Sequence, residues 1–177
     1  GGGTAFILSV LLGPSVIEAL RRFKIGQYER KEEAPPLYAL HAQKEGTPTM
    51  GGVLIVFSIA VSTLLWAQPD NFYVLVTLAT LLYMGLIGFW DDYKMIKGRK
   101  SKGLRARTKL ILQVLWGAVV SGLLLTMPET EKITREFMVP FLKDPLVSDM
   151  GSFMVLLFVS IVIAGASNAV NLTDGLD

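Results

Sequence analysis

Two aspartates stand side by side at Asp91 and Asp92, directly after Trp90, where a long apolar run ends. The partial negative charge at a helix C-terminus disfavours carboxylates, so structure alone would place lysine or arginine there. Adjacent acids at a membrane boundary are costly unless a cation joins them. Magnesium with a phosphorylated substrate is one such partner, because hard oxygen ligands suit it. Ion pairing with the basic segment that follows is the other reading.

Two further constellations carry similar chemistry. Asn171, Asp174 and Asp177 recur every third residue, so a helix would set them along neighbouring positions of one face. The plainer reading is an amphipathic exit from the membrane. Residues 44–52 read KEGTPTMGG, with Thr47 placed as an N-cap and Pro48 at the first helical position. Free N–H groups at such a helix start favour anions, and Lys44 with two hydroxyls would complete a phosphate or nucleotide site. A capped helix start with a snorkelling lysine is the alternative. Between these segments, residues 94–109 hold eight Lys or Arg. Lipid headgroup contact is the default for such a stretch. Read together, acids, an anion-attracting helix start and many cations suit phosphoryl transfer on a polyanionic substrate. His41 is the only histidine, so it forms no histidine metal cluster and reads as a surface loop residue. With no cysteine, disulfides and thiolate metal sites are excluded.

The elements that position these residues follow from charge distribution. Of 177 residues 51% are hydrophobic and 18% charged, and the charges cluster. Uncharged stretches cover residues 1–17, 46–69, 71–90, 110–128 and 150–173. About 20 mainly apolar residues cross a hydrocarbon core of roughly 30 Å. Barrel strands would need an alternation these runs lack. The fold class expected is therefore all-α: a polytopic integral membrane bundle of about five transmembrane helices, forming one membrane domain over 1–177. The helices are expected near 4–23 (kinked at Gly13-Pro14), from Pro48, at 72–90, at 109–127 and from Gly151. Residues 21–44 carry six Lys or Arg, whereas the connection 129–149 carries three against five acids. The positive-inside rule then puts the amino terminus outside, the carboxyl terminus and all three constellations on the cytoplasmic side. Small residues at Gly85, Gly88, Gly117, Ser121, Gly165 and Ser167 suit close helix packing.

In order and spacing, KEGTPTMGG, Asp91-Asp92-Tyr93 and the closing NLTDGLD resemble the phospho-N-acetylmuramoyl-pentapeptide transferase (MraY) family. Lys102-Gly103-Leu104 and Lys109-Leu110 look like that family's second cytoplasmic loop, and the similarity runs over essentially the whole chain. The resemblance implies a bacterial inner-membrane, magnesium-dependent enzyme with ten transmembrane helices, commonly a homodimer. Its reaction would transfer phospho-MurNAc-pentapeptide from its UDP carrier to undecaprenyl phosphate, giving lipid I and UMP. By the same resemblance Asp91 and Asp92 match the aspartate pair, one of which deprotonates the lipid phosphate and both of which are magnesium candidates. Lys44 with Thr47 matches an active-site pair, and Asn171, Asp174 and Asp177 match the nucleoside side of the pocket. One position departs: Met95 stands where the family often has lysine, with Lys94 and Lys97 beside it. The family's principal magnesium aspartate and histidine-rich motif are expected downstream of Asp177, so the chain reads as a first half, inactive alone.

The same residues admit other classes. A UDP-GlcNAc polyprenyl-phosphate GlcNAc-1-phosphate transferase shares the aspartate pair but usually lacks GTPTMGG. A transporter would place ionisable groups near the midplane, and here the helix centres are uncharged. A non-enzymatic scaffold binding membrane lipids remains a third reading; no nucleic acid partner is expected.

Overall fold

The computed structural model describes residues 1–22, 50–98 and 103–174. Among them the regular structure is helical: α1 (Gly2–Arg22), α2 (Gly52–Trp66), α3 (Phe72–Gly98), α4 (Ala106–Thr126), α5 (Pro128–Arg135) and α6 (Gly151–Asp174). Four of these contain stretches long and apolar enough to cross a membrane: Gly2–Leu20, Phe72–Lys97, Ala106–Thr126 and Gly151–Ala169. The chain is a polytopic helical membrane protein. The described α2 has 15 residues, a rise of about 22 Å at 1.5 Å per residue, and falls short of a full crossing. Its first residue is Gly52 rather than one near Pro48, with Gly51 in the N-cap position. Just before it Met50 takes φ 72°, turning the chain immediately ahead of the helix. Thr47 and Pro48, like His41 and Lys44, lie outside the described residues.

The chain divides into two compact units, Gly1–Arg105 and Ala106–Asp177. In the first, α1 packs on α2 and α2 on α3. The α1–α2 contact is tied by polar groups at its end: Ser62 Oγ donates to the Gly1 carbonyl at 2.5 Å and Trp66 Nε1 to Thr4 Oγ1 at 3.0 Å. Pro14 sits inside α1, where it removes one backbone donor without ending the helix. At the α2–α3 contact a Cβ on Gly85 would lie 3.2 Å from a Val56 methyl, so glycine there sets how closely the helices approach. The start of α3 agrees with expectation. Asn71 Oδ1 accepts from the N–H groups of Tyr73 and Val74, at 2.9 and 3.3 Å, as an N-cap should.

In the second unit α4 and α6 pack against each other. Gly117 makes the contact: a Cβ there would stand 2.6 Å from Ser160 Oγ and 2.7 Å from Ser160 Cα. Ser121, one turn on, returns its hydroxyl to the Gly117 carbonyl at 2.7 Å. Gly88 and Gly165, also expected at packing surfaces, meet nothing within 4 Å.

The connection between α4 and α6 is more built than a loop. Pro128 opens α5, Glu129 and Glu131 occupy its first turn, and Lys132 and Arg135 its last, each sign complementing the helix dipole. Arg135 pairs with Glu131 at 3.1 Å and with Asp149 at 3.4 Å, and donates to Ser152 Oγ at 3.2 Å. Phe137 and Val147 then form an isolated antiparallel bridge. Asp149 Oδ1 accepts from the Gly151 N–H at 2.8 Å, which starts α6.

Candidate functional site

The aspartate pair does not sit at a helix end. α3 continues past Trp90 to Gly98, so Asp91 and Asp92 lie inside it, with Lys97 in the last turn. Helix-dipole repulsion fades within the last turn, and here lysine occupies that turn as structure would prefer. The extension is held by its own side chains. Phe89 and Tyr93 stack at 6.3 Å, while Lys94 Nζ lies 5.9 Å from the Trp90 ring and Lys97 Nζ 6.0 Å from Tyr93. These i, i+4 and cation–π contacts carry the helix outward. They also place both lysines flanking Met95 on aromatic rings. Met95 itself is three residues from Asp92 and four from Asp91, on their face of the helix.

Consecutive helical residues point about 100° apart, and Asp91 turns toward the chain that returns after α3. Its Oδ1 accepts the Leu104 N–H at 2.6 Å. Gly103 is pressed against the same carboxylate. A Cβ there would overlap Oδ1 and come 2.9 Å from Asp91 Cγ and 3.1 Å from its carbonyl oxygen. A side chain there would have to push the carboxylate aside, so glycine is favoured by close approach rather than by backbone angle. A charge-assisted bond of this length fixes the carboxylate's rotamer and ties the start of α4's leading segment to α3. Charge–dipole reasoning from sequence found the aspartates but not this partner, which lies 13 residues away.

The second unit holds the other described constellation. Asn171 and Asp174 are in the last turns of α6, as the three-residue spacing predicts; Asp177 lies outside the described residues. Inward of them sits a polar cluster. Gln113, fully buried on α4, donates through Nε2 to Ser167 Oγ at 3.1 Å. Its Oε1 accepts from Asn168 Nδ2 at 2.7 Å, and Asn168 Nδ2 also donates to the Ala164 carbonyl at 2.8 Å. Between helices in lipid such amides act as glue, because their alternative is an unpaired polar group in hydrocarbon. The cluster fixes α6 against α4 just before Asn171. In the sequence Gln113 reads as one more uncharged residue; a lone amide in an apolar run is the signal that marks it.

Among the described residues no three His, Cys, Asp or Glu side chains gather as a metal-ligand set. Asp91 and Asp92 offer two carboxylates of the hard-oxygen type that magnesium takes, so they fit as part of a site and not as the whole of one.

Comparison with known proteins bears on the same residues. The family model described as glycosyl transferase family 4 matches residues 72–177, and the phospho-N-acetylmuramoyl-pentapeptide-transferase signature matches residues 44–56. The chain is 45% identical over 175 residues to the phospho-N-acetylmuramoyl-pentapeptide-transferase of Methylacidiphilum infernorum, covering 98% of the chain and 48% of that protein. It is 46% identical over 177 residues to the one from Desulforapulum autotrophicum, covering 100% of the chain and 47% of that protein. For the Desulfosudis oleivorans protein the identity is 48% over 174 residues, covering 98% and 46%. The chain thus spans about half the length of the curated relatives it matches. With the family model covering the aspartate pair and the signature running into the first turn of α2, the chain belongs to glycosyl transferase family 4 and carries the phospho-N-acetylmuramoyl-pentapeptide-transferase signature.

Proposed function

We propose that this chain supplies the amino-terminal part of a transferase of the bacterial inner membrane. That enzyme moves phospho-MurNAc-pentapeptide from UDP-MurNAc-pentapeptide to undecaprenyl phosphate and yields lipid I and UMP. The observation that carries the reading is the signature match over 44–56, which holds Lys44 and Thr47. It also favours this substrate over UDP-GlcNAc, the second reading of the aspartate pair.

In the reaction proposed, an oxygen of the lipid phosphate bonds to the sugar-bearing phosphorus, and the bond from that phosphorus to the bridging oxygen breaks. UMP leaves with the electron pair. Asp91, whose Oδ1 accepts the Leu104 N–H, helps hold the diphosphate's counter-charge. Asp92 takes the lipid phosphate's proton. Lys44 and Thr47 bind the diphosphate, and Asn171, Asp174 and Asp177 position the nucleoside. Magnesium, held by Asp91 and Asp92 with a further ligand from outside the described residues, would neutralise the diphosphate charge. The basic connections 21–44 and 94–109 support a cytoplasmic location for these groups, five crossings and an external amino terminus. Assembly as a homodimer belongs to the same proposal.

The test is direct. Protein expressed from the complete gene, in detergent with magnesium, should release UMP and form lipid I from the two substrates. The 177-residue chain alone should form none. Turnover with UDP-GlcNAc instead of the pentapeptide substrate would overturn the assignment.

A further inference from the structure

The connection between α4 and α6 ends in an apolar tip whose backbone is built against its own preference. Leu142 N–H bonds to the Val139 carbonyl at 3.1 Å, closing a four-residue turn with Pro140 at its second position and Phe141 at its third. Phe141 has φ 72°, which makes this the pattern of a type II turn, where the third position calls for glycine or asparagine. A bulky side chain at positive φ is an outlier that persists only where something over-determines it. The phenyl ring contributes nothing to packing among the described residues, since Phe141 is 105% exposed. Met138, Leu142, Leu146 and Val147 are exposed around it.

The stem of this turn is not held out in water. The Phe137 ring packs edge-on against Phe158 at 5.4 Å, and Phe158 lies about two turns inside α6, which begins at Gly151. Its side chain leans back toward the helix start, so the bridge between Phe137 and Val147 rests on the flank of a membrane-spanning helix. Arg135 carbonyl accepts from Met150 N–H at 2.9 Å and closes the other side. The stem of the tip is therefore joined to the apolar flank of α6 through Phe137. Lys143 and Asp144 follow Leu142 directly, so the apolar tip is bounded by a charged pair suited to headgroup level, Lys143 supplying the cation.

We propose that residues 138–147 seat in the membrane interface, Phe141 and Leu142 entering the acyl boundary and fixing where α4 and α6 cross. The occupant of this surface is the bilayer. The inference rests on the helices being membrane-spanning and is independent of the reaction proposed above.

The chain has no cysteine, which permits site-directed spin labelling of the complete protein once any cysteine outside this chain is replaced by serine. Nitroxides at Phe141→Cys, Leu142→Cys and, as aqueous reference, Glu129→Cys are compared in vesicles of phosphatidylethanolamine and phosphatidylglycerol. Power saturation should give an oxygen-to-nickel-chelate accessibility ratio severalfold higher at 141 and 142 than at 129. A companion Phe141→Gly variant, which suits the turn, should stay folded and lose the contact, read as faster nitroxide motion at 142. Equal ratios at all three positions would overturn the proposal. So would dipolar broadening between labels at 141, which would mean a second copy covers the tip.

Discussion

Leu104 donates its backbone N–H to Asp91 Oδ1 at 2.6 Å, so the first residues after the basic segment are latched to the helix that carries the aspartate pair. The carboxylate can take this position because Gly103 has no side chain to push it aside. Gly103→Ala should therefore displace the carboxylate. Hydrogen bonds to charged groups are worth about 1.5–3 kcal/mol, and about 1.4 kcal/mol corresponds to tenfold in rate. Turnover of the complete enzyme should fall by about tenfold or more, with Leu104→Ala, which keeps the N–H, near normal. Equal rates for Gly103→Ala and the wild-type enzyme in a lipid I assay would show that the latch plays no part.

Asp92→Asn keeps shape and removes the base. It should abolish lipid I formation while the protein still inserts and purifies normally. Substantial residual turnover would reassign the proton acceptor.

Gly117 and Gly122 lie on the same helix in different surroundings. Gly117 faces Ser160 at a distance no Cβ tolerates, and Gly122 meets nothing within 4 Å. Gly117→Val should lower the apparent melting temperature in detergent by several degrees, since overpacking costs about 1–3 kcal/mol; Gly122→Val should leave it within error. Similar shifts in both would contradict the α4–α6 contact.

Asp149 is held below the usual carboxylate range chiefly by the Gly151 N–H, against an opposing effect of desolvation, with Arg135 lowering it further. A depressed folded value means the stabilisation is present above the unfolded value of about 3.9 and is lost as pH falls through the lower folded one. Protection of the Gly151 amide from hydrogen exchange should accordingly hold at pH 5–7, a window of about two units in which Asp149 is ionised, and decline below about pH 4. Asp149→Ala should remove that protection throughout; an unchanged profile would mean the bond does not form in solution.

Charge-free runs made most of the fold legible. The start of α3 at Phe72 followed from the charge-free run 71–90, and the end of α4 and the beginning of α6 from the surrounding charges, while α4 begins at Ala106, three residues before the expected Lys109. α3 ran on beyond Trp90 because the residues after it lock together at i, i+4 spacing, a cooperative effect invisible to hydropathy. α5 was missed because its polarity reads as loop, although Pro128 with early acids and late bases is a helix signature. In the candidate site, Asp91 and Asp92 announced themselves as acids at the edge of an apolar run. Gly103, Leu104 and Gln113 could not, because their meaning depends on which distant segment returns to meet them.

An uninterrupted α3 also locks height to phase. The carboxylates ride on a rod whose length is set in the membrane, at about 1.5 Å and 100° per residue. One residue added between Gly88 and Trp90 would swing Asp91 a quarter-turn and more away from Leu104. A whole turn added would restore its bearing but raise it by about 5.4 Å. No insertion preserves both, so this stretch tolerates changes of side chain and refuses changes of length.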